Sequence, residues 1–311
     1  MPPIVTLTLN PAVDKNTEIE RVVAEDKLRC DAPSREPGGG GLNVSRVVDR
    51  LGGQSTALYT AGGPTGTTLA SLLDDEALDH VPLPIDDWTR ENLIVYETST
   101  DRQFRFGMPG PTLTPEEVES GLAALRDLDP APDYLVASGS LPPGVPDDTY
   151  AAVADTAHAV GARPILDTSG AALRAAAPAG WHLLKPNLCE LEQLAGDTLE
   201  TEAQRTGAAR SFIERGWCTV VVLSMGASGA LLVTADRAEH VRSPTVPIAS
   251  RVGAGDSMVA GLTVALAQGR GLGAAVQFGV AAGAAAVMTP GTELCHRDDA
   301  ERLFEQIRDN A

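Results

Sequence analysis

The chain of 311 residues is 43% hydrophobic, enough apolar content for one large buried core. Its formal charge of −18 creates a mean field that repels polyanions, which argues against nucleic-acid binding and against docking on an anionic membrane. The most apolar stretch, residues 274–288, is too short and too rich in alanine and glycine to span a bilayer.

Residues 1–10 alternate as a strand does and carry no basic region followed by an apolar stretch, so no signal peptide is expected. Cys30, Cys189, Cys218 and Cys295 are far apart with no zinc-ligand spacing, and read as free thiols of a cytoplasmic protein. Along the chain, β-like runs at 4–9, 55–60, 134–137, 164–167, 182–184 and 219–223 alternate with helical ones at 42–51, 67–73, 148–160 and 201–215. That order predicts an α/β fold, a mostly parallel sheet with helices on both faces. From Asp256 onward the pattern is helical only, over 256–267, 273–288 and 298–307. Residues 16–35 and 88–106 break the rhythm with polar and apolar alternation, as a solvent-facing antiparallel pair would. They are expected to form a small β lid, from about 12–36 and 88–108, on a single domain covering 1–311. An ordinary edge sheet or a dimer contact would leave the same pattern.

Three segments carry chemistry. Pro37-Gly38-Gly39-Gly40-Gly41-Leu42-Asn43 leads into a helix, and its glycines permit a backbone close enough to donate N–H groups to a small polar ligand. Asn43 can donate and accept, and Asp14 is a second candidate for sugar hydroxyls; the bland alternative is a flexible loop. Leu184-Lys185-Pro186-Asn187 begins another helix, where Lys185 suits a phosphate and Asn187 with Glu190 can organise water around Mg²⁺. An Asn cap with an acidic first turn is the plain alternative. Gly253-Ala254-Gly255-Asp256 joins a loop to the first C-terminal helix, an anion site with a proton acceptor in it, or simply a tight turn and cap. Neither glycine run completes G-x-G-x-x-G, and no Walker A sequence is present, so a nicotinamide dehydrogenase and a P-loop kinase are disfavoured. Only three lysines exist, Lys15, Lys27 and Lys185. An enzyme of anionic substrates at this net charge has to concentrate its cations locally.

The three segments, in this order, resemble those of the ribokinase-like sugar kinases, and within them the phosphofructokinase B type, especially its minor bacterial ATP-dependent 6-phosphofructokinases. The likeness extends through Lys27 to Cys30, Asp87 to Arg90, Met108 to Gly110, Ser138 to Gly144 and Phe278 to Gly283. It implies a three-layer αβα sandwich with a β-sheet lid, and transfer of a phosphoryl group from ATP to the C1 hydroxyl of fructose 6-phosphate. In that reading Asp256 is the base, and the Gly253, Ala254 and Gly255 amides form the anion hole. Asp14, Gly38, Gly39, Asn43 and Ser140 hold the sugar, and Lys27 with Arg90 clamps its phosphate. Lys185, Asn187, Ser224, Gly226, Gly229, Val280 and Gly283 line the nucleotide site, with Asn187 and Glu190 holding Mg²⁺ through water. A K⁺ site of backbone carbonyls is implied at Ser250, Val252, Ala286, Thr289, Gly291 and Glu293, although Thr289-Pro290 and Glu293 depart from the family's usual asparagine and arginine. The resemblance also implies a homodimer through the lid and slowing by excess MgATP.

Fructose 1-phosphate and tagatose 6-phosphate kinases share these motifs. They typically carry a lysine where this chain has Ile94, which, with Trp88 and the segment from Lys27 to Cys30, favours fructose 6-phosphate. A non-catalytic sugar or nucleotide sensor would be expected to lose Asp256 or the Asn187 and Glu190 pair, and all three are present.

Overall fold

The computed structural model describes residues 3–309; Met1 and Pro2 of the alternating N-terminal run lie outside the described residues. The chain enters on β1 (Ile4–Thr8), departs through β2 (Ala12–Ile19) and β3 (Ser34–Gly38), and returns by α1 (Gly40–Arg50) to β4 (Ser55–Ala61). Next come α2 (Gly63–Asp75) and β5 (His80–Pro84), then a second departure through β6 (Arg90–Glu97) and β7 (Arg102–Phe106). Alternation resumes with α3 (Pro115–Arg126), β8 (Tyr134–Ser138), α4 (Thr149–Ala159), β9 (Arg163–Asp167), α5 (Gly170–Ala176) and β10 (Trp181–Leu184). It continues with α6 (Leu188–Ala195), α7 (Glu202–Glu214) and β11 (Cys218–Ser224). The hairpin β12 (Ala230–Val233) and β13 (Ala238–Val241) precedes α8 (Ala254–Ala267), α9 (Leu272–Ala286) and α10 (Arg297–Asp309).

Nine strands form one sheet in the order β13-β12-β11-β10-β9-β8-β1-β4-β5, parallel throughout except where β12 pairs with its neighbours. Its inner strands are buried on both faces, which is why they read as continuous apolar runs. Val44, Val259, Val276 and Leu303 pack one face, from α1, α8, α9 and α10. Tyr150, Leu173, Leu191 and Phe212 pack the other, from α4 to α7. The expected layered α/β architecture is therefore present. Sequence patterning passed over β5, the β12–β13 hairpin, α3 and α5. Of these α3 carried a readable signal: Thr114 and Glu117 form a capping box with Pro115 between them. No helix of the described residues is long and apolar enough to cross a membrane.

A second sheet has the order β3-β2-β6-β7. Its central pair, β2 with β6, is parallel rather than the antiparallel pair the sequence suggested. The reason is topological: each strand continues in short order from a strand of the parallel main sheet, β2 after β1 and β6 after β5. Alternation along these strands makes two faces. One carries Asp14, Glu36, Asn92, Asn16 and Arg105 in register; the other carries Lys15, Leu93 and Phe106, the last 47% exposed.

Helices α8 and α9 approach through glycine. A Cβ at Gly261 would stand 2.8 Å from Ala282 Cβ, and one at Gly279 would stand 2.8 Å from the Met258 carbonyl oxygen. Gly261→Leu is therefore expected to cost about 1–3 kcal/mol by overpacking, read as a lower midpoint in denaturant unfolding; an unchanged midpoint would mean that the two helices separate freely.

Candidate active site

The loop before α8 ends at Gly253, whose φ of 73° is left-handed and whose missing side chain leaves room for Leu294. The helix starts at once, so the N–H groups of Ala254, Gly255 and Asp256 have no intrahelical acceptor and point where an anion would sit. Asp256 lies in this first turn, half-buried, and its Oδ2 accepts a 2.8 Å hydrogen bond from Asn43 Nδ2 of α1. Lys185, directly after β10, closes the other side: a Cβ at Gly255 would lie 3.7 Å from its Nζ. The ammonium is buried and pairs at 3.0 Å with Asp167, the last residue of β9.

Burial pushes the Asp256 carboxyl up to about 6, and the nearby Asp167 charge adds to the rise. Donation from Asn43 and the charges of Lys185 and Arg105 pull the other way. Burial alone would lower Lys185, but its bond and charge pairing with Asp167, joined by the charges of Glu190 and Asp256, together hold the ammonium above its ordinary value. Asp167 was missed in the sequence, although an acidic residue at the carboxyl end of a parallel strand is where open α/β sheets bind ligands.

The small sheet faces this cluster. Asp14 Oδ1 accepts from Asn92 Nδ2 at 2.8 Å, Gly38 backs the Asp14 carboxylate, and burial raises its pKa while Arg105 and Arg90 oppose the rise. Gly39, with φ of 124°, packs on Thr8 and Pro11. Ser140 Oγ accepts from Asn10 Nδ2 at 3.1 Å. Arg105, on β7, acts electrostatically on both Asp14 and Asp256, and no sequence motif marked it. Arg90 has a structural task that the sequence did not indicate. Its guanidinium donates to the carbonyls of Asn10, Pro11 and Met108, stitching together the segments that lead into and out of the small sheet. Lys27 lies in an exposed segment and makes no ion pair among the described residues.

On the far side of Lys185, Asn187 caps α6 and forms a capping box with Glu190: Oδ1 accepts from the Glu190 N–H at 3.0 Å and Glu190 Oε2 accepts from the Asn187 N–H at 2.8 Å. Among the described residues, one amide group and one carboxylate oxygen of the pair have no hydrogen-bond partner. Burial raises the Glu190 carboxyl. Ser224 bonds Pro186 O through its N–H at 2.9 Å, which brings the turn of Gly226 and Gly229 beside α6. Gly229 abuts the Val241 carbonyl too tightly for any side chain. Val280 sits in the core, while Gly283 lies against the Ala254 carbonyl at the start of α8. No group of three carboxylates, histidines or cysteines among the described residues is gathered closely enough to hold a metal directly. The second carboxylate oxygen of Glu190 is a hard donor of the kind that suits a hydrated Mg²⁺.

Residues 249–252 and 286–293 are knitted together. Ser250 Oγ donates to Gly291 O at 2.6 Å and accepts from the Val252 N–H at 3.2 Å; Thr289 Oγ1 lies 2.8 Å from Ala286 O and 2.6 Å from Glu293 O. Thr289 Oγ1 thus brings the Ala286 and Glu293 carbonyls together; Ala286 O also accepts from the Thr289 N–H at 3.3 Å, whereas the side-chain contacts to the Gly291 and Glu293 oxygens each use one lone pair. The same loop reaches the small sheet: Thr292 Oγ1 donates to Glu36 at 2.7 Å and accepts from Asn16 Nδ2 at 3.1 Å. A cleft of about 1290 Å³ opens between these loops and the polar face of the small sheet, with Arg105 and Ile94 in its wall.

Residues 5–299 match the pfkB family carbohydrate kinases. The chain belongs to that family. It is 47% identical over 304 residues to the ATP-dependent 6-phosphofructokinase isozyme 2 of Mycobacterium tuberculosis, covering 98% of this chain and 89% of the relative. The isozyme 2 of Escherichia coli is 42% identical over 305 residues, 98% of each chain. Crystal structures of the Escherichia coli phosphofructokinase-2 cover 99% of this carbohydrate kinase and 100% of their own chain. The TM-score is 0.94 at 41% identity for the complex with potassium and for a tetrameric inhibited form, and 0.93 at 40% for the complex with fructose 6-phosphate. The ribokinase of Arabidopsis thaliana, 21% identical with a TM-score of 0.78 over 98% of this chain and 99% of its own, shares the fold.

The coupling of Asp167 to Asp256 is directly testable in this kinase. Asp167→Asn removes the negative neighbour, so the Asp256 carboxyl should titrate below its value of about 6 by ¹³C NMR of the carboxyl carbon. An unmoved midpoint would leave burial as the whole cause.

Proposed function

We propose that this carbohydrate kinase transfers the γ-phosphoryl group of ATP to the C1 hydroxyl of fructose 6-phosphate, giving fructose 1,6-bisphosphate and ADP. One observation carries the reading: a carboxylate held ionisable at a left-handed glycine cap, with sugar-binding polar groups on one side and Lys185 with the α6 cap on the other. The Escherichia coli relative's complex with fructose 6-phosphate supports the acceptor.

Asp256 takes the proton of the attacking hydroxyl, and the amides of Gly253, Ala254 and Gly255 receive the negative charge that develops on the transferred group. Asp14, Gly38, Gly39, Asn43 and Ser140 orient the sugar. Arg105, with Arg90 and Lys27, meets its phosphate; Arg105 joins this group because it stands on the same face of the small sheet as Asp14, one row along opposite Ile94, with its charge on the site. Lys185, Asn187, Ser224, Gly226, Gly229 and Gly283 line the nucleotide, with Val280 behind them. Asn187 and Glu190 would hold Mg²⁺ through water, and the ion would supply neutralisation of the phosphate charge. The carbonyls of Ser250, Val252, Ala286, Thr289, Gly291 and Glu293 would hold K⁺. The small sheet serves as the lid of a single kinase domain, excluding water that would hydrolyse ATP. Its outer face, with Leu93 and the exposed Phe106, suits a second copy of the chain. The enzyme would work in the cytoplasm, where ATP and sugar phosphates are available.

Ile94 sits opposite Arg105 in the small sheet, so the lysine of the fructose 1-phosphate and tagatose 6-phosphate kinases would add a second cation there. ADP release measured with fructose 6-phosphate, fructose 1-phosphate, tagatose 6-phosphate and fructose should give the highest kcat/KM for the first; another order would keep the chemistry and change the acceptor. The acid limb of that profile should fall as pH drops through about 6, because protonation removes the base. Asp256→Asn should reduce kcat by roughly 10²–10⁴ with little change in ATP KM, and near-normal turnover would overturn the assignment. Arg105→Gln should raise the sugar-phosphate KM about tenfold or more at unchanged melting temperature, the loss of one charge-assisted contact. Arg90→Ala should raise the same KM and lower the melting temperature too, since three backbone carbonyls lose their donor; a normal melting temperature would mean those contacts carry no weight.

A further inference from the structure

Behind the glycine-rich segment stands a buried cation that the chemistry above does not use. Arg46, on the inner side of α1, is 4% exposed. Its Nε and Nη2 donate to both carboxylate oxygens of Glu76, at 2.8 and 2.6 Å, at the end of α2. The Nη1 group has two protons and two acceptors: the Pro37 carbonyl oxygen at 3.1 Å, and Asn43 Oδ1 at 3.5 Å. The last distance is long for a hydrogen bond, but the donor is charged and the two residues are one helical turn apart.

Arginine has no acceptor, so whichever Asn43 atom faces it must be the oxygen. The amide nitrogen is then obliged to face Asp256, and it does, at 2.8 Å. Turning the amide over would set donor against guanidinium and acceptor against carboxylate, so the two contacts fix each other. Asp256 Oδ2 is thereby committed to Asn43, and no hydrogen bond among the described residues occupies Oδ1. The Pro37 contact acts on the same loop, because Gly38 beside it backs Asp14.

We propose that Arg46, anchored by Glu76, is a positioning residue for phosphoryl transfer: it orients the Asn43 amide so that Asp256 keeps one oxygen bound and the other directed at the acceptor hydroxyl. This rests on Asp256 being the base. Glu76 braces the arginine from the end of a different helix, so the orientation is imposed from outside the site.

A double-mutant cycle between Arg46→Met and Asn43→Ala, assayed well below the melting temperature of each variant, tests it. Alone, Arg46→Met should lower kcat about tenfold or more and move the acid limb of the profile upward, since donation from Asn43 holds the Asp256 carboxyl down against burial and Asp167, alongside Lys185 and Arg105. In the Asn43→Ala background the same change should lower kcat by less than twofold, while its cost in melting temperature, carried by the Glu76 pair, stays the same. A full, multiplicative loss of kcat in both backgrounds overturns the inference and leaves Arg46 a structural residue. Should Arg46→Met fail to fold, Arg46→Lys enters the same cycle with the same criterion. Loss of the base assignment would be recognised separately, by normal turnover of Asp256→Asn.

Discussion

Everything in this protein's site depends on keeping one carboxylate charged where burial would neutralise it. Asp256 lies at the start of α8, where unsatisfied backbone N–H groups favour negative charge, yet that position is walled by β9, β10 and α1. Desolvation and Asp167 press toward the protonated form; Asn43, Lys185 and Arg105 press back. The balance falls at about 6, low enough for the group to be ionised at neutral pH and high enough for it to accept a proton. Asp167 takes a double part, since it raises Asp256 directly and at the same time keeps Lys185 charged and in place.

The topology explains how so many groups meet at one point. Strands β1, β8, β9 and β10 run parallel, so their carboxyl ends deliver Asn10, Ser140, Asp167 and Lys185 to one edge of the sheet. The two departures after β1 and β5 leave from that same edge, which is why β2 and β6 pair in parallel and why their polar face looks back at Asp256 rather than outward. Arg90 and Asn10 fasten these crossings, and Thr292 ties the small sheet to the segment after α9, whose Gly291 in turn holds Ser250 in the loop that feeds Gly253. The position of the small sheet and the shape of the anion hole are thus linked by a short run of hydrogen bonds, from Glu36 through Thr292, Gly291 and Ser250 to Val252.

Part of the site was readable before any coordinates. Asn43, Lys185 and Asp256 stand beside glycine or proline at helix starts, and local chemistry of that kind survives in a linear pattern. The capping box of Asn187 and Glu190 was likewise one of two readings their spacing allowed, and it is formed, leaving part of each side chain available. Arg105 and Asp167 had no such mark. Each sits at or within an ordinary strand, and its importance comes from partners 151 residues or 89 residues away along the chain, Asp256 in both cases. Arg46 was hidden for the same reason, its anchor being Glu76 on another helix.

By itself the sequence determined the alternation of strands and helices, the helix starts that can bind anions and the family to which the chain belongs, because periodicity, capping and glycine conformations act over a few residues. Only the tertiary structure decided the parallel pairing of β2 with β6, the anchoring of Arg90 on backbone carbonyls, and the charge balance around Asp256. Those depend on which elements are neighbours in space, and desolvation and charge coupling arise only once the chain has closed around them.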